Sequence, residues 1–215
     1  METLTLGGSA LAGSRMAYGC WRVVGSSDGL EITPERQAGA RRAITTAYEV
    51  GLTLFDNADV YASGEAELAL GQVLKEISGM RERVLIATKC GIRKQGEPQA
   101  DSPYRYDFSA GHVVWSCEQS LKRLGIEQID LYLLHRPDYL CAPDEVASAF
   151  TRLKQAGKVR EFGVSNFRPS QVAMLQKACA MPLIVNQVEI SLAKMDCLHD
   201  GTLDQCLSEK ITPMA

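Results

Sequence analysis

The chain has 215 residues, 46% of them hydrophobic and 23% charged, and its net charge is −3. That length suits one domain able to bury a core, and the scattered, outnumbered Lys and Arg argue against a nucleic-acid-binding face. No apolar run approaches the roughly 20 residues that span a bilayer, so neither nucleic acid nor a membrane is expected as a partner.

Residues 1–14 are small and polar, without the basic start and apolar core of a signal peptide. Residues 3–6 followed by Gly7-Gly8 read as one arm of a hairpin that closes the bottom of a barrel. Residues 14–19 read as a first barrel strand, with Cys20 and Trp21 at its mouth. Thr33-Pro34-Glu35 is a helix start, Thr33 as N-cap and Pro34 in the first turn, and the helix runs to Gly51. Residues 52–55 form a short second strand, and Ser63-Gly64-Glu65 opens a helix with a wide apolar stripe through Leu70, Val73 and Ile77.

Residues 84–88 are nearly all apolar, as in a strand buried on both faces. The next 19 residues, 90–108, read as a long loop of the kind that forms a functional lid or a mobile segment, and residues 109–124 as a helix stopped by Gly125, with Trp115 packed on it. Residues 129–134 are the fourth strand, 143–156 a helix, 159–164 the fifth strand, 169–180 a helix and 183–189 the sixth strand. Residues 202–209 form a short helix, and residues 211–215 read as a seventh strand beginning. The fold expected is α/β, an incomplete (β/α)8 barrel with about six strands and the start of a seventh, in a single domain over residues 1–215. An open doubly wound sheet would need a Gly-rich first turn, which Gly7-Gly8 and Gly19 do not supply.

Five of these strands run out into polar residues: Asp56 with Tyr61 beyond it, Lys89, His135, Ser165 with Asn166, and Gln187. In such a barrel the C-terminal strand ends hold the site. A phenol with a pKa near ~10 is a poor acid at neutral pH, but a neighbouring ammonium favours its phenolate and eases proton transfer to a carbonyl oxygen. Lys89 is the candidate ammonium, Asp56 the group that holds and charges it, and His135 a hydrogen-bond partner for a substrate carbonyl. The seven cysteines are odd in number and irregularly spaced, with no Cys-x-x-Cys pair, so no disulfide framework or metal site is expected and the cytoplasm is the expected compartment. Neither Cys20 nor Cys90 is expected to be catalytic.

The motifs together resemble the aldo-keto reductases. Gly51-Leu-Thr-Leu-Phe-Asp-Asn-Ala-Asp-Val-Tyr61 is similar to that family's first signature segment, with Gly64 through Gly71 following. Ala87-Thr-Lys-Cys90, Leu131-Tyr-Leu-Leu-His-Arg-Pro-Asp138, Gly163-Val-Ser-Asn-Phe167 and Asn186-Gln-Val-Glu189 continue it in order. The resemblance implies a catalytic tetrad of Asp56, Tyr61, Lys89 and His135, with Tyr61 as general acid. It implies NADPH as cofactor, with Ser165, Asn166 and Gln187 on the nicotinamide carboxamide, and Trp21 in the substrate wall. The function implied is reduction of aldehydes or ketones, with a small carbonyl compound as substrate and partner.

The family's Ser-Pro-Leu loop over the pyrophosphate, its stacking aromatic and its basic residues for the 2′-phosphate have no counterpart before Ala215. A C-terminally truncated member is therefore expected, with open strand edges and exposed apolar surface. Two other readings stand beside the enzyme: a cofactor-binding regulatory subunit of the channel-associated type, and an inactive fragment.

Overall fold

Thr3–Thr5 (β1) and Ala12–Ser14 (β2) pair as an antiparallel hairpin that turns Leu6 and Leu11 inward. The computed structural model describes residues 1–25 and 31–215. After the hairpin come β3 (Ala17–Gly19), α1 (Pro34–Glu49), β4 (Leu54–Asp56), α2 (Glu65–Glu76) and β5 (Leu85–Cys90). Two short strands follow, β6 (Ile92–Arg93) and β7 (Arg105–Tyr106), then α3 (Ala110–Leu124), β8 (Ile129–Leu134) and α4 (Pro143–Gln155). The chain continues through β9 (Val159–Ser165), α5 (Pro169–Ala178), β10 (Leu183–Gln187), α6 (Thr202–Ser208) and β11 (Thr212–Met214).

Seven strands form one sheet in the order β3-β4-β5-β8-β9-β10-β11, and every neighbouring pair is parallel. Leu6 and Leu11 share an apolar cluster with Leu54, Leu85, Leu131, Leu133 and Ile184. Side chains from β4, β5, β8 and β10 meet there, so the sheet curls into an incomplete (β/α)8 barrel with the hairpin as its floor. Gly7 fastens that floor: its N–H donates to Thr212 Oγ1 at 2.7 Å, and a Cβ there would lie 2.8 Å from Ile184. The outer face of the sheet packs on α1 and α2 at one end and on α3, α4 and α5 further along. Among the described residues β3 and β11 are the sheet's two edges, and a cleft of about 1030 Å³ with Leu4, Leu207 and Met214 in its wall adjoins both.

Continuous apolar runs become strands buried on both sides, and every residue of β5 and β8 is buried. Their polar members are partnered, as buried polar groups must be. Asp130 accepts from Arg160 at 2.7 Å and from the Ile86 N–H at 2.9 Å, and Thr88 donates to Glu67 at 2.5 Å. Helix starts behave as their chemistry dictates: the Thr33 and Ser109 hydroxyls accept from Arg36 N and His112 N, and Gly125 ends α3 at φ +65°.

Two elements differ from the expectation. Residues 14–19 are not one strand. Ser14 closes the hairpin, its N–H donating to Thr53 Oγ1 and its Oγ accepting from the Thr53 N–H, both at 2.8 Å, and the chain bends before β3. Residues 90–108 are not a plain loop, since β6 and β7 pair as a ribbon clasped by the Arg93–Asp107 ion pair at 3.0 Å. Two-residue strands are too short to show a period in sequence.

Gly71 lets α2 and α3 touch. A Cβ there would lie 2.6 Å from the Arg123 carbonyl oxygen and 2.7 Å from that of Leu124. Gly71→Ala is therefore expected to cost about 1–3 kcal/mol. Urea unfolding measures it, and an unchanged midpoint would show that the two helices part without cost.

Candidate active site

The end of β4 presents Asp56, and β5 brings Lys89 beside it, with its side chain fully buried. A buried ammonium must be paired and hydrogen-bonded, and this one is. Lys89 Nζ lies 2.8 Å from Asp56 Oδ1 and 2.9 Å from Oδ2, and it donates to the Asn57 carbonyl at 2.8 Å. Its remaining contact is Tyr61 Oη at 2.9 Å.

Tyr61 opens a short 3-10 turn in which Ala62 and Ser63 take φ of +47° and +55°, the left-handed conformation that side chains resist. That turn aims the phenol back over the strand ends. His135 follows β8 directly and its N–H donates to the Cys90 carbonyl at 2.9 Å. Its ring meets Tyr61 edge to face, with centroids 5.6 Å apart.

The electrostatics correct one expectation. Burial lowers the Lys89 pKa most, but Asp56 and Tyr61 together outweigh it and leave the pKa above the ordinary value. Tyr61 also stands above its ordinary value, because burial and Asp56 outweigh the downward pull of Lys89. The ammonium alone would lower the phenol's pKa. With Asp56 cancelling much of its field, Lys89 holds the hydroxyl as a hydrogen-bond donor and the phenol stays protonated. Burial, then Lys89 and Arg136, hold the His135 pKa down to about 3, so its imidazole is neutral. Its buried Nδ1 has no partner among the described residues.

One stability consequence has a definite sign. An unfolded histidine takes up its proton near the ordinary value of 6.5, the folded His135 only near about 3. Its contribution is complete above the unfolded value and is lost as pH falls towards the folded one. His135→Asn is expected to remove about 2 kcal/mol of acid destabilisation between pH 7 and pH 5. Thermal melts of both proteins at the two pH values test this, and parallel losses would count against a neutral buried imidazole.

The next strands supply amides and a hydroxyl. Ser165 is buried at the end of β9, and Asn166 sits at φ +58°. The Asn166 amide is partly committed, its Nδ2 donating to Ser165 Oγ at 3.2 Å and its Oδ1 accepting from the Glu189 N–H at 2.8 Å. Gln187 ends β10 and its side chain bonds to no other described residue. Trp21 stands just past β3, 50% exposed, with the Arg22 guanidinium 4.7 Å from its ring centre. Cys20 and Cys90 are fully buried thiols pushed well up by that burial, unsuited to nucleophilic work. Among the described residues no group of three or more His, Cys, Asp or Glu is placed to hold a metal ion. The Asn57 carbonyl on Lys89 and the field of Arg136 on His135 are contributions that no side-chain motif announces.

Residues 15–213 match the sequence model of the Aldo/keto reductase family. The chain belongs to that family. It is 40% identical over 205 residues to the oxidoreductase YdhF of Escherichia coli (strain K12), covering 94% of this chain and 65% of that protein. It is 38% identical over 203 residues to the 6-dehydroglucose reductase of Agrobacterium fabrum, covering 94% and 66%. The chain thus spans about 65% of the length of the curated relatives it matches. Among solved structures, the thermostable aldo-keto reductase Tm1743 in complex with the inhibitor epalrestat superposes with a TM-score of 0.85 at 25% identity, covering 99% of this chain and 71% of that one. The glycerol dehydrogenase from Gluconobacter oxydans gives 0.84 at 31% identity, covering 98% and 62%. No helix of the described residues is long and apolar enough to cross a membrane.

Proposed function

We propose that this chain carries the catalytic site of a cytoplasmic, NADPH-dependent oxidoreductase that reduces aldehydes or ketones to alcohols. One observation carries the reading: Lys89 Nζ bridges Asp56 and the Tyr61 hydroxyl within 2.9 Å, with His135 against the Tyr61 ring. Family membership supports it, as do relatives named as oxidoreductases and reductases. Seven free cysteines support the reducing compartment.

The strand ends fit the carboxamide of a nicotinamide. Gln187 offers an uncommitted amide, Ser165 a hydroxyl and Asn166 one remaining N–H, so both donors and an acceptor are at hand. When bound, the cofactor supplies the hydride. The chain's own residues do the rest. The neutral His135 imidazole and the Tyr61 hydroxyl both reach towards a carbonyl oxygen, which fixes its angle. Tyr61 then gives up its proton as negative charge grows on that oxygen. Lys89, 2.9 Å away, steadies the phenolate left behind, and Asp56 keeps Lys89 charged and in place. Trp21 lines the substrate side of the mouth.

The test is aldehyde-dependent oxidation of NADPH by the purified chain, with cofactor binding followed by tryptophan quenching. Turnover that Tyr61→Phe abolishes with binding intact is the expected result. Binding without turnover in the unmutated chain would favour a cofactor-holding regulatory protein, and no binding would overturn the reading for this chain.

A further inference from the structure

A cleft of about 570 Å³ lies between the turn after β4, the β6–β7 ribbon and α3, and none of Asp56, Tyr61, Lys89 or His135 lines it. That volume falls among ligand pockets, which run from about 300 to 1000 Å³. Two of its polar side chains carry atoms without partners among the described residues. His112 is only 6% exposed, yet neither ring nitrogen has a hydrogen bond among the described residues. Burial and Arg93 hold its pKa down to about 4, so the ring is neutral, with one donor and one acceptor. Asp59 accepts from the Ser116 hydroxyl at 2.6 Å through Oδ2, Oδ1 has no partner among the described residues, and burial raises the carboxyl's pKa to about 7. Trp115, expected from sequence to be helix packing, is 54% exposed and stacks on His112 with ring centres 5.8 Å apart.

The charges around the cleft decide what fits. Arg93, Lys94 and Arg123 line it together with Asp59 and Glu97. Arg93 is already paired with Asp107 at 3.0 Å, and Arg123 with Glu67 at 2.6 Å. An anion would have to compete with those carboxylates and lie beside Asp59, and a cation would face three positive heads. A hydroxyl group both donates and accepts, so it can serve an orphan carboxyl oxygen, ionised or protonated, and a neutral imidazole alike. The exposed Trp115 face adds a flat apolar wall of the kind that the C–H face of a sugar ring covers.

We propose that this cleft binds a neutral polyhydroxylated molecule, a mono- or disaccharide, at a site separate from the catalytic centre. The proposal stands whether or not the chain reduces carbonyls. Asp59 also links the two places, because its N–H donates to the Lys89 carbonyl at 3.1 Å.

The chain has two tryptophans, Trp115 in the cleft and Trp21 at the barrel mouth, so two indole N–H signals distinguish the sites. The probes are methyl β-D-glucopyranoside and trehalose, which have no free carbonyl to occupy the Tyr61 site. Saturable shifts of the Trp115 signal with Trp21 unmoved are expected in nitrogen-15 spectra, which also report whether each variant is folded. Asp59→Ala is expected to weaken binding about tenfold or more, the effect of leaving a ligand hydroxyl unpaired. Trp115→Ala, at a half-exposed helix position, is expected to abolish the calorimetric signal. The matching glucuronide and glucosaminide should bind less well than the neutral sugar. No Trp115 shift at tens of millimolar sugar, movement of Trp21 alone, full affinity in folded Asp59→Ala, or preference for a charged analogue would each overturn the proposal.

Discussion

Lys89→Met is expected to lower kcat/KM for aldehyde reduction by about 10²–10⁴-fold, the range that general acid catalysis contributes. The substitution keeps most of the side-chain volume inside a fully buried site, so the change is one of charge and hydrogen bonding. Without the ammonium, Tyr61 keeps its proton but loses the group that steadies the phenolate once the proton has left. Asp56 is then a carboxylate facing the phenol with nothing between them, which opposes the reaction further. Tyr61→Phe should cost a similar factor, and the double variant little more than either single one, because the pair acts as a unit. Cofactor affinity should stay within a few-fold. A Lys89→Met protein with near-normal turnover, or a double variant whose losses multiply, would sink the role given to the 2.9 Å contact.

Arg123→Met is expected to destabilise the fold by about 3–5 kcal/mol, as broken buried ion pairs do. Glu67 projects from α2 into a place where its side chain is 0% exposed, and its charge is met by Arg123 Nε at 2.6 Å and the Thr88 hydroxyl at 2.5 Å. Losing the guanidinium leaves a buried carboxylate with the Thr88 hydroxyl as its remaining side-chain partner among the described residues. Replacing Glu67 is a milder change, since Arg123 is 23% exposed and can turn to solvent. Glu67→Gln combined with Arg123→Met should therefore recover much of the loss. Denaturant unfolding of the two singles and the double decides it, and equal losses in both singles would show that burial of Glu67 is not the cause.

The parts of this fold that could be read in advance are those set by local chemistry. The strands before Asp56, Lys89 and His135 showed because a strand covered on both faces must be apolar, so a polar residue at its end stands out. The same logic misplaced three boundaries, since β4 and β9 take in Asp56 and Ser165 as β5 takes in Lys89. β5 runs on through Lys89 and Cys90, which stay paired with Leu133 and Leu134, and a polar residue looked like an end where pairing continues. The left-handed pair Ala62 and Ser63 carries no such mark, although it is what aims Tyr61. The direction of Tyr61's pKa shift was misjudged for a similar reason, because sequence shows the neighbouring ammonium but not the burial that outweighs it. Trp115 lies where helical periodicity alone says nothing about cover, and the tertiary arrangement leaves half of it open.

The bond from Gly7 to Thr212 Oγ1 sets an order on how the molecule can be made. A ribosome adding about 5–20 residues per second needs roughly 10–40 seconds to travel between those two positions. For all that time the first hairpin has no partner for its Gly7 N–H and no final seat against β11. Leu6 and Leu11 can gather Leu54 and Leu85 early, but Ile184 reaches them only late. The floor of the barrel is begun early and is fastened only when Thr212 arrives, 205 residues after Gly7, so a growing chain carries it unfinished over all of that length.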